Sequence, residues 1–284
     1  MTDPFEEQRG RLTAVAYSVT GSVMDAEDIV QDAFLRWRTV DIDTIDNPAA
    51  FLTTVVTRLA IDKLRSARSR REQYVGPWLP EPVITGFDDD PASLMAEAEQ
   101  LSLAFLTALE RLNPMERAVF VLRTVFDADY AEIAEFVGRA PDACRQIASR
   151  ARQRVNDPER RHRTGDEEQL LTAFITALGS GDETSLRELL AADAISWSDG
   201  GPNRRAARHP IMGRQRVAHF LAGLKRRGEE VDGWVQPVRV NGELGLALHV
   251  GDELYGVMAI ESGAEGIVGL RIVVNPDKLR GGVR

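Results

Sequence analysis

Residues 129–155 read DYAEIAEFVGRAPDACRQIASRARQRV, and this stretch decides the fold of the segment around it. Asp129 and Glu132 have the spacing of a capping box, in which two side chains satisfy backbone N–H groups at the start of a helix. Gly138 can adopt the left-handed conformation that ends a helix, and Pro141 can begin the next one. The stretch therefore predicts two helices joined by a tight turn, which is a helix-turn-helix.

The second predicted helix has an apolar side and a basic side. The residues expected to face inward repeat at helical spacing: Ala143, Ile147, Ala151 and Val155. In a helix-turn-helix the second helix enters the major groove, where arginines bridge guanine O6 and N7 or hold phosphates. The candidate DNA-reading residues are Arg145, Gln146, Ser149, Arg150, Arg152 and Arg154. The alternative is an amphipathic hairpin whose arginines are only solvated.

The composition limits the class of protein. The chain has 284 residues and a net charge of −9, so a basic surface for nucleic acid must be local, as it is in residues 139–163. The length suits two or three small domains. The sequence has neither a long apolar run nor a secretory signal, and its single cysteine, Cys144, excludes an internal disulfide. A reducing cytoplasm is therefore the expected setting.

A second basic stretch ends a predicted helix that begins at Asn47-Pro48, where Asn can cap the helix and Pro can occupy its first position. Lys63, Arg65, Arg68, Arg70 and Arg71 follow an apolar series along this helix. Cations beside aromatic side chains are typical of surfaces that bind single strands. Trp37, Phe51 and Tyr74 are the nearby aromatics, and core packing is the expected role of the first two. A basic helix end also favours the helix dipole without any ligand.

The preceding predicted helix is acidic, with Asp25, Glu27, Asp28 and Asp32. These carboxylates would repel DNA, so a protein partner explains this face better than nucleic acid does. An ordinary solvated face near a helix N-terminus is the alternative.

Two junctions divide the chain. Residues 76–82, GPWLPEP, contain three prolines that cannot continue a helix, yet Trp78 and Leu79 are larger and more apolar than a solvated linker needs.

The second junction is charged and covers residues 157–165. After it, short helices precede four β-rich runs, with Asn241-Gly242 as a hairpin signal. This order predicts an α+β domain with an antiparallel sheet.

In combination, three stretches resemble the extracytoplasmic function (ECF) group of the sigma-70 family. Residues 16–35 (AYSVTGSVMDAEDIVQDAFL) resemble the part of region 2 that grips RNA polymerase, and residues 47–65 resemble the part that recognises and opens the −10 element. Residues 112–155 resemble region 4, whose helix-turn-helix reads the −35 element. The resemblance implies transcription initiation at specific promoters, with core RNA polymerase (its beta and beta-prime subunits) and promoter DNA as partners.

Site residues are carried over by matching positions in these motifs. The implied polymerase-binding residues are Asp25, Glu27, Asp28, Gln31, Asp32 and Phe34. The implied −10 residues are Asp62, Lys63, Arg65, Arg68, Arg70 and Arg71. The −35 readers are the residues already named on the second helix of the helix-turn-helix.

The rest of the chain resembles a subgroup with a fused SnoaL-like domain, an α+β cone. The motifs that carry this resemblance are Trp78-Leu79-Pro80-Glu81-Pro82, Asp199-Gly200-Gly201 and Asn275-Pro276-Asp277-Lys278-Leu279. The resemblance implies that this domain replaces a separate anti-sigma protein, and we expect it to dock on the linker. The family usually continues Asp-Gly-Gly with Gly-Lys, whereas Pro202-Asn203-Arg204 follows here, so a ligand role for that loop is not carried over.

The expected architecture is two all-α domains followed by one α+β domain. The predicted boundaries are 1–75 for region 2, 76–95 for the linker, 96–160 for region 4 and 166–284 for the SnoaL-like domain. No catalytic residue, metal or cofactor is assigned, since the polymerase performs the chemistry. A pocket in the last domain would have Asp199, His209, His219 and His249 as candidate acid–base groups, lined by Trp197, Trp234 and Tyr255. A small-molecule ligand, a ligand-sensing repressor and a SnoaL-type enzyme tethered to DNA remain alternatives.

Overall fold

The computed structural model describes residues 3–87, 101–155 and 167–280. These residues form two compact units. The helical unit contains residues 3–73, 101 and 105–155, and the sheet unit contains residues 74–87, 102–104 and 167–280. The charged junction at residues 157–165 and the second half of the predicted linker lie outside the described part.

The first half of the helical unit is three helices, each started by a side-chain cap. They are α1 (Pro4–Thr20), α2 (Val23–Trp37) and α3 (Pro48–Glu72), with a 3₁₀ turn at Ile42–Thr44. Asn47 accepts a hydrogen bond from the amide of Ala50, as predicted from Asn47-Pro48. Trp37 is 1% exposed and packs near Phe51, so core packing is confirmed for Trp37.

The second half contains the predicted helix-turn-helix. Its helices are α4 (Leu103–Leu109), α5 (Pro114–Thr124), α6 (Tyr130–Val137) and α7 (Pro141–Val155). Asp129 and Glu132 form the capping box at α6, and Gly138 ends α6 with φ 66°. The prediction for the inner side of α7 was wrong by one position at its start. Cys144 and Ala148 are buried, whereas Ala143 and Ile147 are only half-buried, because the 144–148–151–155 series keeps helical spacing and thus one face.

The two halves of the helical unit pack against each other. Helix α3 contacts α1 and α2 and also packs on α5 and α6. Arg58 of α3 donates hydrogen bonds to the carbonyl oxygens of Glu135 and Phe136, at 3.2 Å each. These carbonyls end α6, where a helix leaves acceptors unsatisfied. The contact joins the basic helix α3 to the helix-turn-helix.

The sheet unit has three helices and one seven-stranded sheet. The helices are α8 (Glu167–Ser180), α9 (Glu183–Leu189) and α10 (Arg214–Glu229). The strands are β1 (Ile84–Thr85), β2 (Leu190–Asp199), β3 (Ile211–Met212), β4 (Gly233–Val240), β5 (Glu243–Val250), β6 (Glu253–Gly263) and β7 (Gly266–Val273). Their order is β1-β4-β5-β6-β7-β2-β3.

The α+β prediction is confirmed, with one correction to the sheet. Strand β2 runs parallel to β7, so the sheet is mixed and not wholly antiparallel. The parallel pair arises because β2 is separated from the β4–β7 meander by α10, which lets the chain return to the far edge. Asn241 (φ 52°) and Gly242 (φ 71°) form the predicted two-residue hairpin turn between β4 and β5.

Different segments cover the two faces of the sheet. The helices bury one face around Phe174, Leu221 and Leu246. Residues of the predicted linker bury the other face, where Leu79 and Ile84 pack with side chains of the meander. None of the helices in the described ranges is long and apolar enough to cross a membrane.

Candidate nucleic-acid interface and linker junction

The predicted DNA-reading side chains of α7 are solvent-accessible. Arg145, Gln146, Ser149, Arg150, Arg152 and Arg154 are all exposed. Arg154 pairs with Glu116 on α5 at 2.7 Å, so its guanidinium is positioned by the preceding helix. The other five face solvent from a helix whose opposite side is buried. This arrangement can enter a major groove without disturbing the core.

Arg145 has two neighbours that orient its side chain. Its Nη1 pairs with the Asp142 carboxylate at 2.5 Å, and its guanidinium lies 5.5 Å from the centre of the Tyr130 ring. Arg123 lies over the same ring at 5.6 Å. Because the Arg145–Asp142 pair is largely exposed, it contributes little to stability and is easily exchanged for a base or phosphate contact.

The basic end of α3 is already paired with carboxylates at several positions. Lys63 contacts Asp25 at 3.1 Å and Asp28 at 3.2 Å. Partial burial lowers the pKa of Lys63, but the two carboxylates outweigh it and the pKa is raised, so Lys63 is a cation. Arg65 pairs with Asp62 at 3.0 Å on an exposed surface. Arg71 pairs with Glu110, and the side chains of Arg68 and Arg70 lie outside the described part.

The predicted polymerase-binding residues do not have equal exposure. Glu27, Asp28, Gln31 and Asp32 are exposed on α2, Asp25 is half-buried, and Phe34 packs against Phe5 with ring centres 5.0 Å apart. Sequence reasoning missed two apolar side chains on α2, Met24 and Leu35, which are 51% and 55% exposed. Large exposed apolar side chains beside carboxylates are typical of protein-binding surfaces. Met24 and Leu35 do not fall in the series of apolar residues that repeats at helical spacing along α2, and this departure could have indicated that they are exposed.

The linker and the sheet unit meet at the buried carboxylate of Asp199, which is 0% exposed. Its Oδ2 accepts a hydrogen bond from the amide of Leu79 at 2.8 Å and pairs with Lys278 Nζ at 2.7 Å. Its Oδ1 accepts from the Tyr74 hydroxyl at 2.5 Å and from the amide of Gly201 at 3.1 Å. One carboxylate therefore joins the start of the linker to the end of the chain. We call these residues the linker junction: Tyr74, Trp78, Leu79, Asp199, Gly201, Asn275 and Lys278.

Lys278 is a buried cation with several partners in this junction. It is 6% exposed, and its ammonium donates to the carbonyl oxygen of Leu79 as well as to Asp199. The ammonium lies 3.9 Å from the centre of the Trp78 ring and 5.0 Å from that of Tyr74. A buried charge is tolerated when it is paired and hydrogen-bonded, and these contacts meet that requirement. Trp78 therefore has a specific role as a ring beside a cation.

Asn275 and Tyr74 complete the junction. Asn275 donates from Nδ2 to the Tyr74 hydroxyl at 2.7 Å. Burial and the Asp199 carboxylate hold the pKa of Tyr74 well above its ordinary value, so this hydroxyl stays a donor. Gly201 has φ 60°, and a Cβ there would lie 2.7 Å from the Asn275 amide, so glycine is required. Tyr74, which the sequence suggested as a stacking platform for DNA, is instead held by the sheet unit.

The other members of the three motifs surround this junction. Leu79, Pro80 and Pro82 are buried, as are Gly200 and Leu279, while Glu81 and Pro276 are half-buried. Asp277 is exposed and pairs with Arg280, so it lies outside the buried network. The linker then continues as β1, with the amide of Val83 donating to Asn241 Oδ1 at 3.1 Å. The sequence did not indicate β1 or the role of Asn241 in holding it.

The candidate acid–base groups of a pocket are not brought together. His209 and His219 are exposed, and His219 pairs with Glu183 at the surface. His249 stacks on Trp234, with ring centres 4.1 Å apart. Asp199 is committed to the linker junction, and Trp197 lies under the Arg271 guanidinium. Since His209 and His219 are exposed and Asp199 is committed to the linker junction, the described contacts do not support a shared acid–base pocket built from these four residues.

Comparison with known proteins agrees with this geometry. Residues 5–70 match the family model of Sigma-70 region 2, and residues 102–155 match that of Sigma-70, region 4. The chain is 40% identical to the ECF RNA polymerase sigma factor SigJ of Mycobacterium tuberculosis, over 98% of this chain and 92% of that protein. It is 30% identical to the probable ECF RNA polymerase sigma factor SigI of the same species, over 95% and 92% of the two chains.

A solved structure extends the likeness to the whole chain. The crystal structure of Mycobacterium tuberculosis SigJ superposes with a TM-score of 0.78 at 35% identity and covers 98% of each chain. The likeness therefore includes the sheet unit as well as the two sigma regions. This chain belongs to the ECF group of the sigma-70 family, the RNA polymerase sigma factors that act in transcription initiation.

Proposed function

We propose that the chain reads −35 DNA through α7, engages −10 DNA through the basic end of α3, and contacts the beta and beta-prime subunits of RNA polymerase through α2. It would act with the polymerase in the cytoplasm. The exposed basic face of α7 on a buried scaffold supports the first assignment. The exposed carboxylates and apolar side chains of α2 support the last.

We further propose that the sheet unit restrains initiation by holding the linker, in place of a separate anti-sigma protein. The buried junction around Asp199 is the observation that carries this proposal. Leu103, at the start of α4, is 0% exposed and packs in the same apolar cluster as Leu79 and Ile84. The first half of the linker and the start of α4 are therefore held in one apolar cluster. A chain segment held at these two points has less reach than a free chain of the same length.

The distance between the two promoter elements sets how far apart the linker must allow regions 2 and 4 to move. The −35 and −10 elements are about 25 base pairs apart, which is about 85 Å of duplex at about 3.4 Å per base pair. In the helical unit α3 packs directly on α5 and α6, so regions 2 and 4 cannot span that distance without separating. Undocking the linker would lengthen the tether between them, and the open form would gain population.

We expect that weakening the junction raises transcription in a reconstituted assay with core polymerase. The tests are Trp78→Ala, which removes the ring beside Lys278, and a chain that ends at Val274, which removes Asn275 and Lys278 together. The first should have a small effect, since a cation–π contact contributes about 0.5–2 kcal/mol, and the second a larger one. Initiation is measured at a promoter found by mapping transcription starts after overexpression. Unchanged initiation with both variants would contradict the proposal.

We expect Arg145→Ala to weaken binding to the −35 element by about 1–3 kcal/mol, because a bidentate contact to one base is lost. The measurement is holoenzyme affinity for the promoter and for variants of each −35 base pair. Selectivity should relax at one base pair only. Arg187→Ala, which removes an exposed arginine from the sheet unit, is the control. Unaltered selectivity at every −35 position would show that Arg145 does not read DNA.

A further inference from the structure

One carboxylate in the helical unit binds two arginines from different parts of the fold. Glu110, directly after α4, accepts from Arg71 of α3 at 2.7 Å and from Arg117 of α5. Both arginines also donate to carbonyl oxygens at the end of α1: Arg117 to Ser18 at 3.1 Å, and Arg71 to Thr20 at 2.7 Å. The cluster therefore ties region 4, which contains Glu110 and Arg117, to region 2, which contains Arg71 and the end of α1.

The cluster is more buried than the other ion pairs of these basic helices. The side chains of Arg117, Arg71 and Glu110 are 1%, 14% and 23% exposed. Burial lowers the pKa of Arg71 from its ordinary value, and Arg117 adds repulsion against the attraction of Glu110. The Arg117 Nη2 group is buried without a hydrogen-bond partner in the described ranges. The buried Arg117 and the half-buried Arg71 thus share one carboxylate and the carbonyl end of a helix.

Arg71 also belongs to the basic series of α3 that we propose for −10 DNA, and this inference rests on that proposed function. A guanidinium binds a carboxylate and a phosphate in the same way, by N–H groups directed at paired oxygens. We infer that Glu110 is an internal competitor for promoter phosphate. In the closed helical unit its carboxylate occupies Arg71 and, through Arg117, holds region 4 against region 2. When the regions separate, Arg71 becomes available to DNA.

A second polar contact between the two regions, made by Arg58, involves different groups. Arg58 reaches carbonyl oxygens of α6, and no carboxylate takes part in that contact. Loss of the Glu110 charge leaves the Arg58 contact in place but leaves buried Arg117 without its counter-ion. An uncompensated buried charge is strongly unfavourable, so the closed form should lose population. The Glu110 carboxylate therefore acts as a latch: it holds regions 2 and 4 together until a polyanion such as DNA replaces it at Arg71.

The test uses the full chain with Glu110→Gln, which keeps the size of the side chain and removes its charge. Single-molecule energy transfer between dyes at positions 36 and 153, with Cys144 replaced by Ala, reports the open fraction. Fluorescence anisotropy reports affinity for single-stranded −10 DNA. We expect the open fraction to rise at least tenfold and the affinity to rise about tenfold. Glu7→Gln, which removes an exposed carboxylate from α1, is the control for net charge and should change neither.

A second variant keeps the test decisive if Glu110→Gln unfolds the helical unit. Arg71→Gln breaks the same tie but also removes the proposed DNA contact, so the open fraction should rise while the affinity for −10 DNA falls. If neither variant raises the open fraction, the latch is wrong. If Arg71→Gln opens the unit but leaves the DNA affinity unchanged, the competition is overturned and so is the −10 assignment of Arg71. Restraint by the linker junction is tested separately with Trp78→Ala.

Discussion

Asp199→Ala is expected to release the linker from the sheet unit, because the substitution removes the carboxylate that pairs with the buried ammonium of Lys278. Removing one member of a buried ion pair costs about 3–5 kcal/mol, which corresponds to about a 10²- to 10⁴-fold change in the docking equilibrium. The change also removes the acceptor of the Leu79 amide and of the Tyr74 hydroxyl. The measurement is the rate of limited proteolysis within residues 74–87, which should rise by a factor in that range.

The chain offers a matched control for this substitution. Asp277 and Arg280 form an exposed pair at 3.6 Å on either side of Lys278 in the sequence. An exposed pair contributes about 0–1 kcal/mol, so Asp277→Ala should leave proteolysis of the linker nearly unchanged. Asp199→Asn keeps the shape of the side chain and should lie between the two. Equal cleavage rates for wild type and Asp199→Ala would refute the role of the buried pair.

Leu79→Ala is expected to weaken the same junction through packing alone. Leu79 is 0% exposed in the cluster between the linker and the sheet, and Leu→Ala at such sites costs about 2–5 kcal/mol. The substitution keeps the backbone amide that donates to Asp199, so the ionic network remains. Hydrogen exchange at the amide of Val83, which donates to Asn241, measures the effect. Exchange should accelerate by about 30- to 5 × 10³-fold if the whole cost falls on docking.

Val75→Ala is the comparison for this second prediction. Val75 is an aliphatic residue directly before the linker and is 51% exposed, so its substitution should change stability by no more than about 0.5 kcal/mol. Similar exchange rates in Leu79→Ala and Val75→Ala would mean that Leu79 does not anchor the linker.

Local sequence rules predicted the helical unit well. The capping boxes at Asn113 and Asp129 and the left-handed Gly138 are encoded by neighbouring residues, so their signal survives without tertiary information. The sequence prediction began the buried series of α7 one residue too early, because Cys144 was not counted as an apolar residue. In the structure Cys144 packs as one. Its burial raises the pKa of the thiol, consistent with a packed side chain.

Long-range contacts were harder to predict. The apolar Trp78 and Leu79 indicated that the linker needed a surface, but nothing nearby in sequence indicated that residues 84–85 would add a strand to a sheet that begins a hundred residues later. The parallel pairing of β2 with β7 likewise depends on the return of the chain after α10. The sequence offered Tyr74 only as an aromatic near the basic stretch, whereas its partners Asp199 and Asn275 are distant in sequence.

The basic residues of α3 likewise include local pairs, which sequence spacing can indicate, and long-range pairs, which it cannot. Arg71 follows the series of Lys63 and Arg65, so the sequence groups them on one surface. The structure separates them by partner: Arg65 pairs locally at the surface, whereas Arg71 reaches Glu110 in region 4. A carboxylate that lies 39 residues away cannot be assigned from helical spacing.

The central claim is that the docked linker restrains a sigma factor, and the initiation rate with core polymerase tests it most directly. Wild type, Asp199→Ala and the control Asp277→Ala are compared at one promoter, with equal amounts of folded protein verified by circular dichroism. We predict more initiation with Asp199→Ala than with wild type, by several-fold or more, and an unchanged rate with Asp277→Ala. An equal or lower rate with Asp199→Ala, while proteolysis shows the linker released, would contradict it.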